Sequence, residues 1–95
     1  MLFSWDDHKN KINQRKHGLS FETAKHVFDD PLHISRQDRI EAEEPRWQTI
    51  GMINGVLLLL VAHTVTDAEQ GEHIRIISAR LASRQEKYVY EQNNI

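Results

Sequence analysis

The sequence contains no cysteine, which excludes a disulfide framework and a thiolate-bound zinc. No apolar run is longer than residues 56–62, well short of the ~20 residues that a membrane-spanning helix needs. The first seven residues lack the basic start and apolar stretch of a secretory signal, so cytoplasm is the expected compartment. Charge of one sign is nearly absent as an excess, at a net −2. That excludes a uniformly basic nucleic-acid binder and leaves the placement of the charges as the informative quantity. Prolines number two and glycines four, so each of them punctuates the chain. What remains is ordinary globular composition, 39% hydrophobic and 27% charged over 95 residues, enough for one domain spanning 1–95 with a single core.

Phe3 and Trp5 alternate with Ser4, an extended lead that presses two aromatics onto the core. Asp6 or Asp7 can cap a helix that runs to about His17 and stops at Gly18. Ile12 is its one interior apolar residue, and Lys9, Lys11, Arg15 and Lys16 make it basic. Ser20 can cap a second helix with Phe21, Ala24 and Phe28 at helical spacing, and Asp30-Pro31 ends it. From Leu32 the period becomes two: a short edge strand at 32–34, a polar, acidic loop at 36–44, and strands at 46–53, 56–66 and 72–79. Asn54-Gly55 predicts a two-residue hairpin, with Ile53 opposite Val56 and Arg46 opposite His63. Ser83 and Glu86 form a capping box for a last helix over 84–92. The expected fold is α+β: two N-terminal helices, a four-stranded antiparallel sheet and a C-terminal helix.

If Thr66 faces Glu72 across the next turn, His63 also faces Arg75, and Arg46, His63 and Arg75 form a row on one sheet face. Like charges across a sheet repel unless an anion lies between them. Two guanidiniums can hold a phosphate bidentately and stabilise charge developing on its oxygens, while an imidazole moves a proton. Arg80, where the strand leaves the sheet, can reach the rim of either face. A plainer reading pairs Arg46 and Arg75 with the acidic loop, Glu41, Glu43 and Glu44, as solvated ion pairs. Lys16 and His17 either track a nucleic-acid backbone or complement the dipole of their own helix. Six histidines invite a metal check, but no pair has i, i+4 spacing on a helix, so no metal site or other cofactor is expected.

Beyond these patterns the chain resembles the BrnT toxin family. The resemblance is carried by F-S-W-D at 3–6, Asn13, K-H-G-L-S-F-E-T-A at 16–24 and V-F-D-D-P at 27–31. It continues with Arg46-Trp47, Ile50-Gly51, I-R-I-I-S-A-R-L-A-S at 74–83, Glu86 and Tyr90. The resemblance implies a RelE-like fold and a metal-independent endoribonuclease that blocks translation, the substrate's 2′-hydroxyl attacking the adjacent phosphate. It also implies a BrnA-like ribbon-helix-helix antitoxin, which forms a heterotetramer with the toxin and is the complex's sole contact with operator DNA. The family-matching polar positions are Lys16, His17, Glu22, Arg46, Arg75, Ser78, Arg80, Glu86 and Tyr90. Among them Arg46, Arg75 and Arg80 are the expected catalytic phosphate ligands, with His63 added from the row as acid or base. Lys9, Lys16 and His17 are the expected RNA-binding residues. The competing expectation is a toxin-fold subunit without catalysis that binds its antitoxin and tunes repression. Pro45, Lys87 and the acidic run at 41–44 depart from the family pattern.

Overall fold

A computed structural model describes residues 1–94; Ile95, the last residue of the expected 1–95 domain, lies outside the described residues. In chain order the elements are β1 (Leu2–Ser4), α1 (Asp7–His17), α2 (Phe21–Ala24) and a 3₁₀ turn (Lys25–Asp29). There follow β2 (Ile34–Glu41), β3 (Glu44–Ile53), β4 (Leu57–Ala68), β5 (Gly71–Leu81) and α3 (Arg84–Asn93). The class is α+β, and the sheet has five strands in the order β1-β5-β4-β3-β2. The expected four are thus corrected to five, because β1 adds itself in parallel to β5 through only three residue pairs. A three-residue strand is too short to show a period, although Phe3 does pack on the core beside Phe28.

Residues 36–41, expected as loop, are strand. Beyond Ile34 every residue of β2 is exposed, so no alternation betrays it; backbone pairing to β3 holds it in place. Its hairpin turns at Ala42 and Glu43, both left-handed at φ 48° and 64°, positions where Gly or Asn would have given the signal. Asn54 and Gly55 also turn left-handed. However, Val56 stays outside the ladder, so Ile53 pairs with Leu57 and Trp47 with His63. The next hairpin is tighter than expected, Ala68 pairing with Gly71, which places Thr66 opposite His73 and Thr64 opposite Arg75. Both registers therefore differ by one residue from the sequence reading, and one slipped residue moves a side chain to the other face.

The two faces bury different things. On one, α1, α2 and the 3₁₀ turn cover Leu59, Val61, Ile74, Ile76 and Ala79, with Phe21, Ala24 and Val27 as the helical contribution. Gly51 makes this packing possible, since a Cβ there would sit 2.7 Å from the Val27 carbonyl oxygen. On the other face α3 lays Tyr90 over Ile50 and Leu60, covering only the end of the sheet nearest the β3–β4 turn. Asp6 and Ser20 cap α1 and α2, Gly18 stops α1 in the left-handed region, and the Ser83–Glu86 capping box starts α3.

α1 departs from an ordinary amphipathic helix. Ile12 is 44% exposed, and the buried residues are Asn10 and Asn13. Past the end of β1 the edge of β5 is open, and Asn13 closes it: its amide donates to the Ala79 carbonyl and accepts from the Ala79 N–H. Asn13 also donates to the Leu19 carbonyl, while Asn10 accepts from the Phe21 N–H and donates to Glu22. The helix is tied down by amides where a hydrophobic stripe would be usual, each satisfying buried backbone groups.

A candidate phosphate-binding face on the sheet

The half of the sheet that α3 leaves uncovered is polar. Ile74 and Ile76 belong to the core on the α1–α2 side, so Arg75 projects to the opposite face. Trp47 lines a cavity with Phe28 and His63 on the core side, so Arg46 likewise projects to the α3 side. The common shift of both registers keeps the two arginines aligned, now across Thr64 instead of His63. One carboxylate oxygen proves their proximity: Glu44 Oε1 lies 2.8 Å from Arg75 Nη2 and 4.0 Å from Arg46 Nη2. Glu41 lies 3.5 Å from Arg46 and 2.9 Å from Arg39. The acidic run thus folds back over the arginines; Glu41 and Glu44 make ion pairs, whereas Glu43 is exposed at the turn. Arg46 Nε is buried without a hydrogen-bond partner.

His63 does not join this pair, which corrects the expected row. It is 1% exposed on the core side, edge-on to Phe28. The Thr64 carbonyl lies 3.2 Å from its Nδ1, so that nitrogen carries the proton, and the Thr49 hydroxyl at 2.7 Å donates to Nε2. Ser35 then bonds Thr49. Burial pushes the imidazole below its ordinary value, outweighing the Thr64 hydrogen bond. This histidine is a satisfied core residue.

Arg80 is on the α3 side but five residues up the strand from Arg75, about 16 Å away at roughly 3.3 Å per residue. Its guanidinium grips Glu86 bidentately at 2.7 and 2.8 Å. That hydrogen-bonded pair brings the Glu86 carboxyl down to about 2 against the cost of burial, and raises the Arg80 guanidinium further above its ordinary value. Arg80 therefore ties β5 to the start of α3. Lys9, Lys16 and His17 are exposed on α1, a separate element from the strands that carry Arg46 and Arg75.

A cluster that the sequence reading missed centres on Asp30. Its carboxylate accepts from the Tyr90 hydroxyl at 2.6 Å, the Met52 N–H and the Leu32 N–H. Burial works against its charge, yet these three donors together hold it below the ordinary carboxylate value. Burial and the Asp30 charge push Tyr90 up to about 12.

Residues 5–86 match the family described as the ribonuclease toxin, BrnT, of type II toxin–antitoxin systems. The chain belongs to the BrnT family. Among solved structures, the ribonuclease toxin BrnT of Brucella abortus is similar, with 25% identity and a TM-score of 0.61. The likeness covers 88% of this chain and all of that one. No curated protein matches. For this BrnT-family toxin the fold is thus α+β with a five-stranded sheet, similar overall to its Brucella relative. Within the described residues no helix is long and apolar enough to cross a membrane.

Proposed function

We propose that this BrnT-family toxin is a metal-independent endoribonuclease that inhibits translation, binding the scissile phosphate between Arg46 and Arg75. The observation that carries this reading is the shared Glu44 oxygen, which lies within ion-pair range of both guanidiniums. An anionic oxygen fits there, and a phosphate carries more charge and more acceptors than the carboxylate it would displace. The substrate's 2′-hydroxyl attacks the adjacent phosphorus, the P–O5′ bond breaks, and a 2′,3′-cyclic phosphate remains. Arg46 and Arg75 neutralise charge on the non-bridging oxygens as it develops. Arg80 acts indirectly, its grip on Glu86 holding the start of α3 against β5 at the rim of this face, and Lys9, Lys16 and His17 draw the RNA backbone along α1. A BrnA-like ribbon-helix-helix antitoxin covers the toxin in a cytoplasmic heterotetramer and supplies the contact with operator DNA.

A second reading, that the chain binds its antitoxin without catalysing anything, draws on a specific observation: both arginines already have carboxylate partners. The experiment that separates the two is RNA cleavage by the purified chain, wild type beside Arg75→Ala, in EDTA and without ribosomes. Cleavage by the wild type alone, leaving 2′,3′-cyclic ends, is the expected result. If neither cleaves, the assay is repeated with ribosomes, and failure there leaves the binding-subunit reading. Loss of antitoxin binding by Arg75→Ala, with cleavage intact, would keep the nuclease but move Arg75 from the phosphate site to the antitoxin interface.

A further inference from the structure

Arginine binds a phosphate well but accepts no proton near neutral pH. Cleavage by an RNA 2′-hydroxyl needs an acceptor, and burial on the core side takes His63 out of that role. The placement of the other imidazoles narrows the choice. His8 and His17 are on α1, His26 is in the 3₁₀ turn, and His33 packs against Phe28 on the core side. Among the described residues, His73 is the one imidazole that a strand places on the same face as Arg75. It stands two positions earlier on β5, so both side chains project to the α3 side while Ile74 between them enters the core.

We propose that His73 is the general base of the cleavage reaction, held in position by Ser4; this rests on the reading of Arg46 and Arg75 as phosphate ligands. The Ser4 hydroxyl lies 2.7 Å from His73 Nε2, and Ser4 is itself the register partner of Arg75 across β1–β5. Serine, histidine and arginine thus share one corner of the face. The ring is half-buried and, among the described residues, makes no other hydrogen bond. Its Nδ1 is the nitrogen left for a substrate hydroxyl. Thr66 stands across from it on β4 and Leu2 beside it on β1. The charged group beside it on the same face of its strand is Arg75, which is in turn bonded to Glu44; the Met1 nitrogen lies near Gly71 at the strand's start. In the step, neutral His73 takes the 2′-hydroxyl proton as the 2′-oxygen bonds to phosphorus. The 5′-oxygen leaves with the P–O electron pair and takes a proton from water, and the imidazolium returns its own proton to solvent.

The test is a single-turnover pH–rate profile on an RNA that the wild type cleaves, with His73→Gln and Ser4→Ala beside it and RNA binding measured in parallel. His73→Gln is expected to lower kcat by about 10²–10⁴-fold with RNA affinity retained, and to remove the acid limb of the pH–rate profile. Ser4→Ala keeps the imidazole and the limb but loses rate. A His73→Gln enzyme with wild-type rate and an unchanged profile overturns the assignment. So does a rate loss that leaves the limb in place, since that marks a structural role. Should His73→Gln not fold, as judged by circular dichroism, Ser4→Ala decides: an unchanged rate overturns the proposal. Failure of the phosphate reading is distinguishable, because it appears as wild-type cleavage that survives Arg46→Ala and Arg75→Ala.

Discussion

The arginine pair and the carboxylates above it compete for the same charge. Arg75 is 48% exposed and its partner Glu44 38%, so their ion pair is screened and worth at most about 1 kcal/mol. A phosphate entering the site gives up that pair and repels Glu44 as well. Glu44→Gln is therefore expected to tighten binding of a non-cleavable single-stranded RNA by about 2–5-fold, read by fluorescence anisotropy at low salt. Unchanged affinity would mean that RNA does not meet Arg75. At the same scale, Asn13 shows why some of the molecule was hidden in its sequence. Its helix has almost no apolar stripe, so periodicity pointed to Ile12, while the packing runs through an amide that closes both groups of Ala79. Asn13→Ala leaves these buried groups unpaired and is expected to cost about 2–3 kcal/mol, measured as a lowered urea midpoint with unchanged slope.

Elements that bury an apolar face or begin at a cap were legible: α1, α3 and the central strand β4 fall where caps and patterns put them, and the second helix starts at its Ser20 cap but tightens to 3₁₀ after Ala24. What stayed illegible was held by backbone pairing and a few side-chain contacts that leave no period in the sequence. β1 is too short for a period, and β2 is polar on both faces with a turn built from alanine and glutamate. The arginine alignment was read correctly but for the wrong registers, two one-residue shifts acting in the same direction, and His63 was the casualty. Arg80 and Glu86 illustrate another limit. A family-matching pair of opposite charges reads as chemistry until its geometry is seen, and here it joins an element end to a helix start. Because the folded-state value of Glu86 is about 2 against an ordinary 4.5, the sign of its pH dependence is fixed. Its contribution is fully present above pH 4.5 and is lost as pH falls through about 2. With Arg80 41% exposed, solvent screening reduces the contribution to about 1–2 kcal/mol. Glu86→Gln is expected to lower stability by that amount at pH 7 and by progressively less towards pH 2, followed by denaturant titrations at each pH.

At the scale of the whole molecule, the sheet divides its labour between faces. One face is filled by α1, α2 and the 3₁₀ turn; the other is half closed by α3 and half open around Arg46, Arg75 and His73. A net charge of −2 gives no broad field to draw RNA, so on the proposed reading both recognition and neutralisation turn on this local arginine site. A partner that covers the open half binds only the folded toxin, because the face exists only when three strands are in register. Mass action then fixes what the proposed antitoxin does to stability. At a free concentration 100 times its dissociation constant it adds about 2.7 kcal/mol, which for a domain of this size raises Tm by roughly 10–20 °C. The rise should grow with the logarithm of antitoxin concentration and should shrink in Arg46→Ala and Arg75→Ala if the partner's acidic groups occupy the arginine site. Thermal melts of the wild type and both variants across an antitoxin titration measure this. A wild-type Tm that excess antitoxin leaves unmoved would remove the partner from the account. A shift of equal size in all three proteins would keep the partner but place its footprint away from the arginine site.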